Sequence, residues 1–164
     1  MAETVGIPIA LKRRLAQALR RMRWSASVLR YLVRLIRARF TSGVVGVIFN
    51  AEGEVLLVEH VFHPQYPWGL PGGWLESRES PDKALEREVE EELGLPITVL
   101  RPLLVETGQD YKTHINIALL CRADGNVRHL NSEVLAYRWV NPEALPPMMP
   151  FHRAAVEAAR AATR

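Results

Sequence analysis

An α/β architecture, with a mixed sheet clasped between helices, is the fold class this chain predicts, and three observations carry the prediction. Strand-like and amphipathic helical runs follow one another in the order β-hairpin, loop, helix, several strands, helix. The 164 residues suffice for one domain with a buried core plus an appendage, and 48% apolar against 24% charged residues is ordinary for a globular chain. Charge then marks off the appendage. Residues 1–40 carry ten Lys and Arg against one acid, Glu3, a net of +9, whereas residues 41–164 carry eleven against seventeen, a net of −6. A basic amphipathic helical arm over 1–40, joined to an acidic domain over 41–164, is the expected organisation.

The arm reads as helix because Leu11, Leu15, Leu19 and Met22, then Val28 or Leu29, Leu32 and Ile36, recur at three- and four-residue intervals, with no Gly or Pro from Ala10 to Thr41. Arginines break every apolar run, which argues against a bilayer-spanning segment and against a secretory signal. Four roles stay open: packing on its own domain or on a second copy as a homodimer, peripheral contact with an anionic membrane, contact with nucleic acid, and organelle targeting. The first two are favoured over the others. Trp24 and Tyr31 suit an interface of any of these kinds. Cys121 is the only cysteine, so no internal disulfide can form, which fits a reducing, cytoplasmic compartment.

Within the domain, residues 43–49 read as a strand ended by the turn 50–53, and residues 54–62 pair with it as a hairpin. Residues 63–73, HPQYPWGLPGG, predict a shaped loop without regular structure, in which Gly72 and Gly73 let backbone approach a metal or phosphate closely. Tyr66 and Trp68 are candidates for stacking on a base or ribose. His60 and His63 are three apart, on opposite faces of a strand, and read as solvated or core-edge residues. A helix follows over Pro81 to Leu93: Ser80 is placed to cap it, Pro81 to open it, Gly94 to stop it, and Leu85, Val89 and Leu93 form its buried stripe. Strands over 97–106, 113–121 and 135–140 come next, with turns at 107–110 and 123–126. Asn141 opens a short helical turn, Pro146, Pro147 and Pro150 stiffen a crossover, and a last amphipathic helix runs over 151–162.

The chemistry-bearing pattern lies on the first of these helices. Glu88, Glu91 and Glu92, at i, i+3 and i+4, share a face beside the leucine stripe, so packing that stripe under a sheet leaves three carboxylates at the edge of a cleft. A Glu run alone is usually a solvated acidic face. Here the wider spacing, Gly73, five residues, Glu79, seven residues, then Arg87-Glu88-Val89-x-Glu91-Glu92-x-Gly94-Leu95, would arise by chance on the order of once in a billion windows. Carboxylates so gathered suit a hard cation, Mg²⁺ or Mn²⁺, shared with substrate phosphates.

This stretch resembles, position for position, the signature of the Nudix hydrolase family, G-x5-E-x7-R-E-U-x-E-E-x-G-U with U a bulky aliphatic residue, and Trp68-Gly-Leu-Pro-Gly-Gly73 is similar to the lead-in of many members. The resemblance implies a Nudix-type α/β/α sandwich with a mixed central sheet. It implies metal-dependent hydrolysis of a nucleoside diphosphate linked to a further group. By position it makes Glu88, Glu91 and Glu92 metal ligands, with the Gly72 carbonyl completing the shell, Arg87 orienting a glutamate of the helix, and Glu79 supporting the site. Glu133, just before the strand bearing Trp139-Val140, resembles an additional glutamate that some members use as metal ligand or general base.

In such hydrolysis the cation neutralises phosphate charge and acidifies water, which a carboxylate deprotonates. A nucleoside triphosphate, ADP-ribose or another nucleotide sugar, a dinucleoside polyphosphate and a CDP-alcohol all suit the core. Tyr111, some sixteen positions past the signature, or box, of Gly73 to Leu95, is similar to a mark of dinucleoside polyphosphate hydrolases, and a proline typical of ADP-ribose enzymes is absent there. The competing class is a nucleotide-sensing module of the same fold, its basic arm touching nucleic acid or membrane. Such sensors can lose box carboxylates, and none is missing from this chain.

Overall fold

The computed structural model describes residues 8–10, 13–14, 17, 40–62, 64–108 and 113–161. The chain divides into two units, Met1–Arg39 and Phe40–Arg164. In the first, residues 9–10, 13–14 and 17 are helical. The remainder of the expected arm helix lies outside the described residues, as do His63 and Tyr111.

In the second unit seven strands form one mixed sheet with β1 (Thr41–Phe49) as its axis. Along its whole length β1 runs parallel to β6 (His114–Ala123), from Thr41↔His114 to Phe49↔Arg122. β5 (Ile97–Thr107) lies antiparallel on β6, with register shifts near Arg101 and Pro102. On the other side, β1 meets β2 (Val55–His60) at Phe49↔Val55, next to the turn, where Asn50 Oδ1 accepts from Glu54 N–H at 2.8 Å. Beyond that point the two strands are held apart by β3 (Trp68–Gly69) and β4 (Gly72–Trp74): β4 pairs with Gly43–Val45 of β1, and β3 with Val58–Glu59 of β2. β7 (Val134–Val140) adds to β2.

Two expectations are corrected here. The hairpin over 43–62 is joined only near its turn, and the Pro/Gly-rich segment 63–73 carries two short strands rather than none. The physical reason is that proline lacks a donor but keeps its acceptor. The carbonyls of Pro67 and Pro71 accept from His60 N–H (2.8 Å) and Gly46 N–H (2.9 Å), so the segment is stitched into the sheet from both sides.

Alternation along β1 and β2 sends side chains to both faces, and both are covered. On one, Val44, Ile48, Leu56 and Val58 pack with Leu85, Val89 and Leu93 of α1 (Pro81–Leu93). On the other, Val47, Val55, Leu57 and Ala118 pack with Ala155, Val156 and Ala159 of α2 (Pro150–Ala161). The result is an α/β/α sandwich. Asn141 opens a turn, closed by Ala144 N–H on its carbonyl at 2.9 Å, and no helix follows there. No described helix is long and apolar enough to cross a membrane. Cys121 is buried, and burial pushes its thiol up to about 12, which leaves it inert.

α1 occupies the residues its sequence marks out. Pro81 opens it after an extended Ser80 (φ −86°, ψ 152°). The Ser80 hydroxyl makes no cap bond; it bonds the Asp82 carboxylate instead. Gly94, left-handed at φ 59° and ψ 28°, ends the helix by donating to Glu90 O at 2.9 Å. Leu85, fully buried between helix and sheet, is the residue whose loss should be felt most in this layer. Leu85→Ala is expected to cost about 3 kcal/mol in urea denaturation, and an unchanged midpoint would refute this packing.

Candidate active site

The leucine stripe of α1 fixes where its glutamates go. Glu92 turns inward and is 4% exposed, accepting from Gly72 N–H at 3.3 Å. Glu88, one turn earlier, lays its carboxylate against the next residue of β4: a Cβ built on Gly73 would lie 2.4 Å from Glu88 Cδ. The two carboxyls thus reach consecutive residues of the same short strand. Burial pushes the Glu92 carboxyl up to about 8; the Gly72 N–H pulls the other way, while the charges of Glu88, Glu133 and Glu91 add to the rise.

Arg87 is the hub on the solvent side. Its Nε and Nη2 grip both oxygens of Glu79 (3.0 and 2.9 Å), Nη1 reaches Glu88 at 2.9 Å and Glu91 at 3.4 Å, and Nη2 also donates to Trp74 O at 3.1 Å. Those carboxylates, Glu79 first, raise the guanidinium further above its ordinary value, and the same bond holds Glu79 below the usual carboxylate range. Glu79 Oε2 also accepts from Glu76 N–H at 3.1 Å, which closes the loop before the helix.

With Glu88 and Glu91 drawn onto Arg87 and Glu92 onto Gly72, no three His, Cys, Asp or Glu side chains among the described residues stand close enough together to grip a metal ion as they are. Glu91 projects outward, its side chain 58% exposed.

Glu133 comes within electrostatic reach of Glu92. It is carried there by residues 128–132, to which sequence reasoning assigned no element and no role. Arg128 and His129 donate their N–H groups to Leu93 O (3.0 and 3.3 Å), and Asn131 N–H donates to Glu92 O (3.0 Å). These pairings are tertiary, and no period or motif in the sequence announces them.

The aromatic candidates fare differently from one another. Tyr66 is half-buried. Trp68 has the Arg138 guanidinium over its ring, 3.9 Å from the centroid. Trp74, which sequence reasoning did not single out, is 63% exposed and meets His114 edge-on at 4.9 Å, with His114 Nδ1 2.8 Å from Thr41 Oγ1. A shallow depression of about 370 Å³ runs between Thr41–Ser42 and Trp74–Ser77. His152 Nδ1 accepts from Leu70 N–H at 3.0 Å, behind the strand pair.

Comparison with known proteins agrees with this geometry. The NUDIX domain matches residues 39–159. A "MutT-like protein" of Streptomyces ambofaciens is 32% identical over 109 residues, covering 65% of this chain and 67% of its own. The "8-oxo-dGDP phosphatase NUDT18" of Danio rerio is 44% identical over 80 residues, 46% of this chain but 24% of that longer protein. Among solved structures, an ADP-ribose pyrophosphatase from Streptococcus suis superposes with a TM-score of 0.61 at 27% identity, covering 73% of this chain and 92% of its own. A complete box on a helix that presses its glutamates against a Gly-Gly strand, inside a matched NUDIX domain, places this chain in the Nudix family as a pyrophosphohydrolase.

Proposed function

We propose that the chain hydrolyses a phosphoanhydride bond in a nucleoside diphosphate linked to a further group, using Mg²⁺ or Mn²⁺. The observation that carries this is the Glu92 carboxyl: buried, pushed up to about 8, and crowded by the charges of Glu88, Glu133 and Glu91. Such concentrated negative charge, with oxygen donors only, fits a hard cation. Glu88, Glu91, Glu92 and the Gly72 carbonyl would hold it. Glu91 is the group that must turn, and its 3.4 Å contact with Arg87 is the weakest of that hub. The cation when bound supplies charge neutralisation on the phosphates and a more acidic water.

The protein's own groups do the rest. Arg87 keeps Glu79 and Glu88 in fixed orientation, and Glu133 or a box glutamate takes the proton from the attacking water. Tyr66 is favoured over Trp68 for base stacking, because Arg138 already covers a face of the Trp68 ring; Tyr111 is a third candidate. The relatives' names point to two substrate classes, 8-oxoguanine nucleotides and ADP-ribose, and the higher sequence identity, 44% over 80 residues against 27%, favours a nucleoside di- or triphosphate.

The test is a panel of 8-oxo-dGTP, 8-oxo-dGDP, ADP-ribose and diadenosine polyphosphates, with product identification in Mg²⁺, Mn²⁺ or EDTA. Turnover is expected only with metal. Glu91→Gln should lower kcat by about 10²–10³ with an unchanged circular dichroism spectrum. Phosphate release that persists in EDTA, or a Glu91→Gln variant of wild-type rate, would overturn the assignment.

A further inference from the structure

We propose that residues 128–133 form a strap across the C-terminal end of α1 that sets Glu133 against Glu92, with Arg128 as its positioning residue. The inference rests on the role given to Glu133 above. A helix leaves its last four carbonyls without partners inside the helix. At α1, Gly94 N–H takes Glu90 O. The other three are taken by the strap: Leu93 O by Arg128 and His129 N–H, Glu92 O by Asn131 N–H at 3.0 Å, and Glu91 O by His129 Nε2 at 3.4 Å. The Arg128 side chain adds a bridge, its Nε on Gly94 O and its Nη2 on the Glu90 carboxylate. A cation is well placed there, at the negative end of the helix dipole. The fit is close, since a Cβ on Gly94 would stand 2.5 Å from His129 Nδ1.

The far end of the strap is fixed as well. Asn131 Oδ1 accepts from Glu133 N–H at 2.9 Å, and Glu133 O accepts from Val61 N–H at 3.0 Å, just past the end of β2. Glu133 is therefore held between the helix that carries Glu92 and the strand β2. Arg128 makes the charged side-chain tie of the strap to the helix, and it reaches both a carbonyl and a carboxylate, whereas His129 adds one longer contact. Its ion pair with Glu90 is solvent-exposed, 58% and 50% for the two side chains, so it contributes little to global stability. Positioning is what remains for it to do.

Two readouts test this on the full chain. In amide hydrogen exchange, Arg128→Ala should speed exchange at Asn131, Glu133 and Val61 while Leu85 and Val89 stay protected and Tm moves by less than about 3 °C. In kinetics, Arg128→Ala should lower kcat about tenfold with KM within twofold, and Arg128→Lys should recover part of the loss. In a double-mutant cycle with Glu133→Gln, Arg128→Ala should cause no further loss. Unchanged exchange at those three amides overturns the proposal whatever the activity. Additive losses in the cycle, with Glu133→Gln itself slow, overturn it while leaving the function standing. A Glu133→Gln variant with wild-type kcat overturns both the role of Glu133 and the strap's purpose.

Discussion

Glu92→Gln is expected to stabilise the metal-free protein at pH 8 and, in the same stroke, to abolish turnover. The Glu92 carboxyl is raised from 4.5 to about 8 in the folded state, first by burial and then by its acidic neighbours. A group raised in this way favours folding while it is protonated. Its contribution is complete below the unfolded value near 4.5 and is lost as pH rises through about 8. Glutamine keeps an acceptor for Gly72 N–H and never ionises, so the difference between variant and wild type should grow across that window. Direct conversion of the shift gives about 5 kcal/mol, which relaxation and water entry around the ionised carboxylate reduce to on the order of 3 kcal/mol. Urea denaturation in EDTA at pH 5 and pH 8 reads it. A variant less stable than wild type at pH 8 would show that Glu92 sits folded as a satisfied carboxylate. Magnesium added at pH 8 should raise the wild-type Tm and leave Glu92→Gln nearly unchanged.

Gly72→Ala is expected to be the most damaging single methyl in the domain. Gly72 has φ 146°, a backbone conformation that other residues rarely adopt. A Cβ there would stand 2.1 Å from Val44 O and 2.8 Å from Val45 Cα, both backbone atoms of the central strand, so no side chain can yield to make room. The loss should be on the order of 4 kcal/mol, a fall in Tm of roughly 8–16 °C for a chain of this size. Gly73→Ala makes the useful contrast. The three atoms nearest its Cβ would all belong to the Glu88 carboxylate, the end of a flexible side chain. That variant should fold with a much smaller loss of stability and be slow because Glu88 is displaced. Equal stability losses in the two variants, by calorimetry, would contradict the distinction.

The parts of this fold that were legible in the sequence are those whose signals are local. α1 was marked by a proline at its start, a glycine at its end and an apolar stripe between them, and it occupies Pro81–Leu93. The proximity of Glu79, Arg87 and Glu88 followed from the box, and the structure brings them together. What the sequence did not yield is whatever depends on a partner far along the chain. β3 and β4 are two and three residues long, too short to show a period, and exist because β1 and β2 receive them. The inward turn of Glu92, against the outward one of Glu91, depends on where the sheet lies under the helix and not on their spacing. Arg128 reads as one more surface cation until its reach to Gly94, 34 residues away, is seen.

The parallel ladder between β1 and β6 bears on how the chain reaches this state. The long partner of β1 lies 73 positions further on, and its neighbour β2 offers it little beyond the turn. A buried, valine-rich segment must therefore wait, half-satisfied, until the residues that lead up to β6 have been made. Self-association at that stage, rather than failure of the finished domain, is where production of this protein should be most vulnerable, and low temperature or a holdase during expression is the natural remedy.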